Sequence, residues 1–455
     1  VRPPKMDDRD LFRFAPGYQV TELETVFDWS AYPGAGGGFQ GAVEMCNNNG
    51  ACRKADGVMC PSYKVTRDER DLTRGRANSL RLAISGQLGE DAFTSDEMAE
   101  TMSLCVSCKG CKRECPTGID MAKMKIEVLA ARARKQGVPL REMLVAYLPR
   151  YAPYAAKAAG FMNLRDRLPG LAGLSQRLLG FAADRPLPRW RRDAYRQAEV
   201  PVAGEEVILF ADTFNRYFEP DNLRDAETVL ARAGFAPIEA RPEEGGRPLC
   251  CGRTFLAAGL VEEAKVEMRR SLAALAPLLA RGLPVVGLEP SCLLTFRDEA
   301  PALLGAEWTP QQAEQIMLLE EFIAARLDPE GGGFELPLAP LKGGSALLHG
   351  HCHQKAFNAV APVREVLALI PELQVELVQS SCCGMAGSFG YQAETAEISR
   401  RMGELSLLPR VRAAGAEVRV VADGTSCRHQ IADGAGREAE HVARLLRESS
   451  DLALN

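Results

Sequence analysis

The chain has 455 residues, 46% hydrophobic and 25% charged, the proportions of an ordinary folded protein with room for two or three domains. Its 55 Lys and Arg against 60 Asp and Glu leave a formal charge of −5, and no long basic run offers a nucleic-acid groove, so no nucleic-acid partner is expected. No apolar run approaches the roughly 18 residues of a membrane span, which excludes an expected transmembrane segment.

No charged segment followed by a short apolar stretch and a cleavage site opens the sequence, so the expected location is cytoplasmic. The first residue is Val1, which fits a piece of something longer. Fourteen cysteines in such a chain read as metal ligands or redox groups, because disulfide frameworks belong to short secreted proteins.

Residues 1–40 are rich in aromatics, Pro and Gly and end in Pro33-Gly34-Ala35-Gly36-Gly37-Gly38. Phe39 stands where a dinucleotide fingerprint needs its third glycine, so the run reads as a linker or close-packed turn. Two cysteine blocks follow within 41–138, at 46–60 and 105–115, with a helix expected between them over 67–88. A second helix is expected over 119–135, with Thr117 as its N-cap. Residues 139–200 alternate apolar and basic positions among several prolines. They read as a helical connector whose apolar faces pack on neighbours or touch a membrane surface or partner. Its most basic stretch, 189–196 (RWRRDAYR), reads as a solvated helix face.

The remainder contains an internal repeat, in 201–330 and 340–450. Each half reads strand, helix, strand, cysteine pair, helix, strand, single cysteine. In the first half these are 207–211, 222–233, 236–240, Cys250-Cys251-Gly252, 261–280, 284–288 and Cys292. In the second they are 346–349, 360–369, 374–378, Cys382-Cys383-Gly384, 395–414, 418–422 and Cys427. Alternating strands and helices predict parallel sheets with right-handed crossovers, and ligands in such sheets gather beyond the carboxyl ends of the strands. Every cysteine group follows a strand, so one sheet is expected to bring them together. The fold class is thus a helical, ferredoxin-like dicluster domain followed by α/β structure made of two repeated cysteine-rich β-α-β units.

The run Cys105-Val-Ser-Cys108-Lys-Gly-Cys111-Lys-Arg-Glu-Cys115-Pro116 matches the C-x₂-C-x₂-C-x₃-C-P pattern of bacterial ferredoxins, whereas zinc more typically takes two separated C-x-x-C pairs. In two-cluster ferredoxins the fourth cysteine of each run serves the other cluster. That rule assigns Cys105, Cys108, Cys111 and Cys60 to one [4Fe-4S] cluster, and Cys46, Cys52 and Cys115 to a second site whose middle position is Asn49. An amide oxygen is a hard, neutral ligand where soft thiolate is favoured. The second site therefore holds a [3Fe-4S] cluster, keeps four irons with a non-cysteine ligand, or stays empty. Lys109, Lys112 and Arg113 beside the main run read as solvated surface, or as a group that raises the cluster potential or docks an acidic partner.

Adjacent cysteines strain to pair with each other, so Cys382-Cys383 reads as ligand or thiol chemistry. With Cys352, Cys427, His351 and His353 it offers a further metal or cluster site, set in a segment that begins at His349 and closes with His429. The first half has Asp212-Thr213-Phe214 where the second has His351-Cys352-His353, and is not expected to assemble the same site.

The segments Met59-Cys60-Pro61-Ser62-Tyr63, Thr66-Arg67-Asp68-Glu69 and Thr73-Arg74-Gly75-Arg76-Ala77 resemble the iron–sulfur half of FAD-linked 2-hydroxyacid dehydrogenases. So do His351-Cys352-His353-Gln354-Lys355, the run from Ser381-Cys382-Cys383-Gly384 to Gly390, and Gly424-Thr425-Ser426-Cys427-Arg428-His429. Glycolate oxidase iron–sulfur subunits and the heterodisulfide reductase B subunit share the cysteine-rich repeat. Val1-Arg2-Pro3-Pro4-Lys5-Met6 resembles the segment where the flavin domain ends in the fusions. The resemblance implies a flavin-containing dehydrogenase domain or subunit as partner, with FAD held there. It further implies a D-lactate, glycolate or D-2-hydroxyglutarate type of substrate, and a quinone or carrier protein as electron acceptor. This chain would conduct electrons and carry no catalytic residue of its own, in the cytoplasm or peripheral to the membrane. The alternative is a heterodisulfide-reductase-like enzyme with redox chemistry at the cysteine pairs.

Overall fold

Capping side chains set the helix starts of the N-terminal third. Ser95 accepts the Met98 N–H ahead of Asp96–Ser103, whose first turn carries Asp96 and Glu97 against the positive end of the helix. Asp120, not Thr117, caps Met121–Gln136 by accepting the Lys123 N–H, and Thr117 Oγ1 lies instead 3.3 Å from Cys115 Sγ. The helix expected over 67–88 is shorter, Thr73–Ile84, because Arg67 takes a left-handed conformation to end Pro61–Thr66 and a 3₁₀ turn, Glu69–Asp71, intervenes.

The computed structural model describes residues 20–32, 37–197, 203–242, 245–327 and 333–454. The Val1–Met6 resemblance and most of the glycine run lie outside the described residues. What is described of the segment before the first cysteine block is clamped by Glu127, which accepts the Val26 and Phe27 N–H groups and the Trp29 indole N–H.

The connector is helical over Leu140–Ala146, Leu148–Lys157, Ala159–Met162 and Leu171–Leu179. The stretch 189–196 is irregular rather than a helix face: Trp190 and Tyr195 are buried, and Arg191 pairs with Asp193 and Asp221. No residue of Leu171–Leu179 is buried, and Leu174 and Leu178, one turn apart, are exposed together with Leu140, Tyr154 and Phe161.

Seven strands among the described residues form two sheets, both parallel. β1 (Glu205–Phe210), β2 (Phe235–Glu239), β3 (Val285–Gly287) and β4 (Ile316–Leu318) take the order β2-β1-β3-β4, with Ile208 opposite both Ile238 and Val285. β5 (Ser345–Leu348), β6 (Gln374–Leu377) and β7 (Arg419–Val421) take the order β6-β5-β7. The expected single sheet is therefore corrected to two, each with its own cysteines. Val207, Ile208, Leu209 and Phe210 are all buried, as a strand covered on both faces requires. The sheets share a core in which Val207, Leu209 and Phe322 meet Leu348, Val363 and Leu446.

The helix expected over 395–414 is two, Ala396–Glu404 and Leu407–Ala413. Pro409 has no N–H for the Leu405 carbonyl, and its ring would strike it, so the break falls there.

Candidate metal centres

Cys60, Cys105, Cys108 and Cys111 line a single cavity together with Thr73, Arg76 and Ser107. They come from two segments about 45 residues apart in sequence. Glu114 accepts the Val58 and Met59 N–H groups at 2.7 and 3.0 Å and so holds the Cys60 loop against the main run. Gly110 packs so closely on that loop that a Cβ there would lie 3.0 Å from the Met59 nitrogen. Cys60, Ser107 and Lys109 have φ of 52°, 50° and 58°, the conformations that turn successive N–H groups inward around an anionic group. Thr73 N–H donates to Cys60 Sγ at 3.2 Å, and the Gly110 and Met121 N–H groups serve Cys108 and Cys111.

Burial pushes the Cys60 thiol up to about 11 and raises Cys108 and Cys111 further. No disulfide joins any of the fourteen cysteines, all of which are described. Four sulfurs facing one cavity, served by backbone donors, fit an iron–sulfur cluster, whose binding would carry the deprotonation that burial resists.

The other half-site is less complete. Cys46 and Cys52 are buried close enough for each other's charge to be felt, and Cys115 is half-buried beside Thr117. Asn49 is exposed, and its side chain belongs to its own turn: Oδ1 accepts the Ala51 N–H at 2.8 Å and Nδ2 donates to Asn47 at 2.6 Å.

Lys109 is 2% exposed and paired inside the molecule, which corrects its reading as solvated surface. Its ammonium meets Asp298 and, at 2.7 Å, Glu299; Lys112 and Lys123 also reach Asp298, and Arg253 reaches Glu299. Burial opposes the charge on Lys109, but Glu299, Asp120 and Asp298 hold it protonated. Asp298 lies 189 residues away, out of reach of any local reading. Arg113 donates to the Lys355 carbonyl.

At the carboxyl edge of the second sheet the sulfurs of Cys352, Cys382, Cys383 and Cys427 form a chain of successive contacts, all buried. Gly384, at φ 92°, makes the turn after the pair, and its N–H donates to Cys382 Sγ at 3.3 Å. Lys355 lies within electrostatic reach of all four thiols. His351 Nδ1 accepts the His353 N–H as the cap of Cys352–Ala356, and His353 Nε2 meets the Ser107 carbonyl at 3.0 Å. His349, offered by the sequence pattern beside His351, His353 and His429 but not assigned to the site, follows β5 directly and has a ring nitrogen within 4.8 Å of the Cys383 and Cys427 sulfurs. That position just after a strand is the signal that could have found it. Four thiols and an imidazole fit a metal or cluster, and burial keeps the imidazole neutral, the form that ligates.

The first edge gathers Cys250, Cys251 and Cys292, again in successive contact. Thr213 occupies the place of Cys352, and Asp212 caps Thr213–Tyr217, accepting the Phe214 and Asn215 N–H groups. The cavity at Cys108 and the four-thiol edge are neighbours: Cys108 shares one buried cluster with Cys352, Cys382, Cys383 and Cys427. A cleft between the ferredoxin-like block and the second sheet, lined by Lys64, Arg67, Arg113 and Lys355, reaches Ser380 and Ser381 beside Cys382.

Residues 42–119 match the 4Fe-4S dicluster domain, and residues 346–432 match the cysteine-rich domain. The chain therefore carries a 4Fe-4S dicluster domain and a cysteine-rich domain. The iron–sulfur chain is 29% identical over 452 residues to a D-2-hydroxyglutarate dehydrogenase of Pseudomonas putida, a match that covers 89% of the chain and 43% of that relative. It is 25% identical to one subunit of the anaerobic glycerol-3-phosphate dehydrogenase of Escherichia coli, over 73% of the chain and 81% of the relative. It is 22% identical to the glycolate oxidase iron-sulfur subunit of Escherichia coli, over 90% and 94%. The chain thus spans less than half the length of the D-2-hydroxyglutarate dehydrogenase it matches. No helix among the described residues is long and apolar enough to cross a membrane.

Proposed function

We propose that the iron–sulfur chain is the electron-transfer portion of a FAD-linked 2-hydroxyacid dehydrogenase, taking electrons from a flavin-containing domain or subunit and delivering them to a quinone or carrier protein. One observation carries this reading: the cavity lined by Cys60, Cys105, Cys108 and Cys111 abuts the four-thiol site through Cys108. The names of the relatives, each a hydroxyacid or polyol-phosphate oxidoreductase or a subunit of one, support the substrate class of D-lactate, glycolate or D-2-hydroxyglutarate.

In this reading Cys60, Cys105, Cys108 and Cys111 hold a [4Fe-4S] cluster, which supplies one-electron redox chemistry. Cys46, Cys52 and Cys115 hold a second, [3Fe-4S] cluster, because the Asn49 amide is spent on its own turn. Cys352, Cys382, Cys383 and Cys427 hold a further metal or cluster, with His351 and His353 at its border. The chain's own work is to exclude water, through burial of the sulfurs, and to donate backbone N–H groups to them. The two strand orders, each with its central strand first in sequence, support the reading of a repeated unit. The exposed Leu174 and Leu178 are the face we assign to the flavin partner or a membrane surface, and the cleft beside Lys355 and Ser380 is the approach we assign to the acceptor. The three-thiol first edge speaks against heterodisulfide-reductase chemistry, which needs both edges complete.

The test is iron and acid-labile sulfide per chain on anaerobically purified protein, with electron paramagnetic resonance before and after dithionite. Reducible clusters, with a three-iron signal in the oxidised sample, are expected. Metal without labile sulfide would move the chain to a structural role.

A further inference from the structure

The second edge holds a donor that the thiols do not explain. His349 follows β5, its backbone N–H bonded to the Val421 carbonyl at 2.8 Å, and its side chain is 1% exposed. Its Nδ1 lies 2.9 Å from Ser380 Oγ, which Lys355 Nζ also reaches at 3.0 Å. Ring orientation is thereby fixed from one side. The other nitrogen, Nε2, is buried and has no hydrogen-bond partner among the described residues. A buried polar atom left in that state is costly unless something unseen meets it. Here the nearest candidates are sulfurs: the ligand atoms of His349, Cys383 and Cys427 all lie within 4.8 Å of one another.

The other histidines lack this arrangement. His351 Nδ1 accepts a backbone N–H, and His429 Nδ1 meets the Tyr391 hydroxyl at 2.8 Å. His353 keeps a buried Nδ1 without a partner, but among the described residues no second grouping of one histidine with two cysteines exists. His441 lies near Glu320 and Asp423, yet its Nδ1 accepts the Ala443 N–H at 3.1 Å, which places the ring proton on Nε2, facing the Leu288 carbonyl, and leaves no lone pair for a cation. At the first edge Ala211 follows β1 as His349 follows β5, so the three thiols there have no imidazole.

We propose that His349 ligates, through Nε2, the metal centre held with Cys383 and Cys427, making the second edge a mixed sulfur–nitrogen site. This rests on the reading above that the second edge binds metal. Ser380 then acts as the outer partner that orients the imidazole, the usual accompaniment of a ligating histidine. A neutral imidazole in place of a thiolate leaves the centre less negative, suits zinc or iron, and, if iron is bound, raises the reduction potential.

The full chain, purified anaerobically, is compared with His349→Ala and His349→Cys by iron, zinc and labile-sulfide analysis. X-ray absorption at both metal edges and pulsed electron paramagnetic resonance for nitrogen coupling are added. The expected result is imidazole scattering or nitrogen coupling in the wild-type chain. His349→Ala loses at least one metal equivalent per chain while the ferredoxin-like block keeps its labile sulfide. His349→Cys retains the metal, loses the nitrogen signature and, with iron bound, shifts to lower potential. A wild-type site with only sulfur around its metal overturns the ligand assignment and leaves the reading of the second edge standing. A nitrogen signature that survives in His349→Cys likewise overturns it. A wild-type chain whose metal is all accounted for by the ferredoxin-like block overturns both. The wild-type spectra decide the matter even if a variant does not fold.

Discussion

At the first sheet edge the helix after β1 begins Asp212-Thr213; at the second edge the helix after β5 begins His351-Cys352. Asp212 and His351 do the same local job, each accepting a backbone N–H at a helix start. Both edges then turn through Cys-Cys-Gly with the glycine left-handed, at φ 81° and 92°, and place one more cysteine on the helix after the third strand of the motif. A Cβ on either glycine would meet a helix carbonyl, of Ala264 or Ser399. Yet one edge gathers three thiols and the other four with an imidazole. Backbone scaffold and donor set are therefore separable: the same capping and turn geometry carries different side chains at the two edges.

The largest expected difference is in metal content. Cys383→Ser removes the metal of the second edge, whereas Cys251→Ser leaves the iron and zinc per chain unchanged, both read by elemental analysis. Equal losses would erase the contrast between the edges. A smaller effect separates the two ways in which the edges grip the loop at 107–109. Lys109→Met strands Asp298 and Glu299 as buried, partly unpaired carboxylates and costs about 3–5 kcal/mol. His353→Gln, which loses only the contact with the Ser107 carbonyl, costs about 1 kcal/mol. Denaturant midpoints of the metal-free chains rank the two, and the reverse order would shift the main grip to the second edge.

The smallest effect is in acid stability. Burial, aided by Glu289, pushes the Asp212 carboxyl up to about 6, so its contribution is full below its ordinary value near 3.8 and is lost as pH rises through 6. Glu219 behaves oppositely: burial alone would raise it, but Arg428, from the second edge, holds it down at about 2. Its contribution is full above its ordinary 4.5 and is lost as pH falls toward 2. Melting temperatures from about pH 3 to 7 should show Asp212→Asn removing the loss between about 4 and 6, and Glu219→Gln removing the loss on the acid side. A profile unchanged by Asp212→Asn would return that carboxyl to its ordinary range.

Local pattern made much of this legible. Most strand positions, the parallel pairing and the gathering of Cys60 with Cys105, Cys108 and Cys111 could be read from the pattern, whereas the helices expected over 67–88 and 395–414 came out shorter or divided. What escaped was set by distant partners. Lys109 looks like surface until Asp298 and Glu299 arrive from the distant helix Pro290–Leu304. Stretch 189–196 looks like a helix until Trp190 and Tyr195 are seen buried. Cysteines that each follow a strand say nothing of whether the strands share a sheet. His349 was visible beside His351 and His353, but only its approach to the Cys383 and Cys427 sulfurs sets it apart, and that appears in the folded chain alone.

The cluster of apolar side chains that joins Cys108 to Cys352, Cys382, Cys383 and Cys427 bears on rigidity. A metal bound at either group of thiols would brace the same packed side chains, so filling one would stiffen the wall of the other.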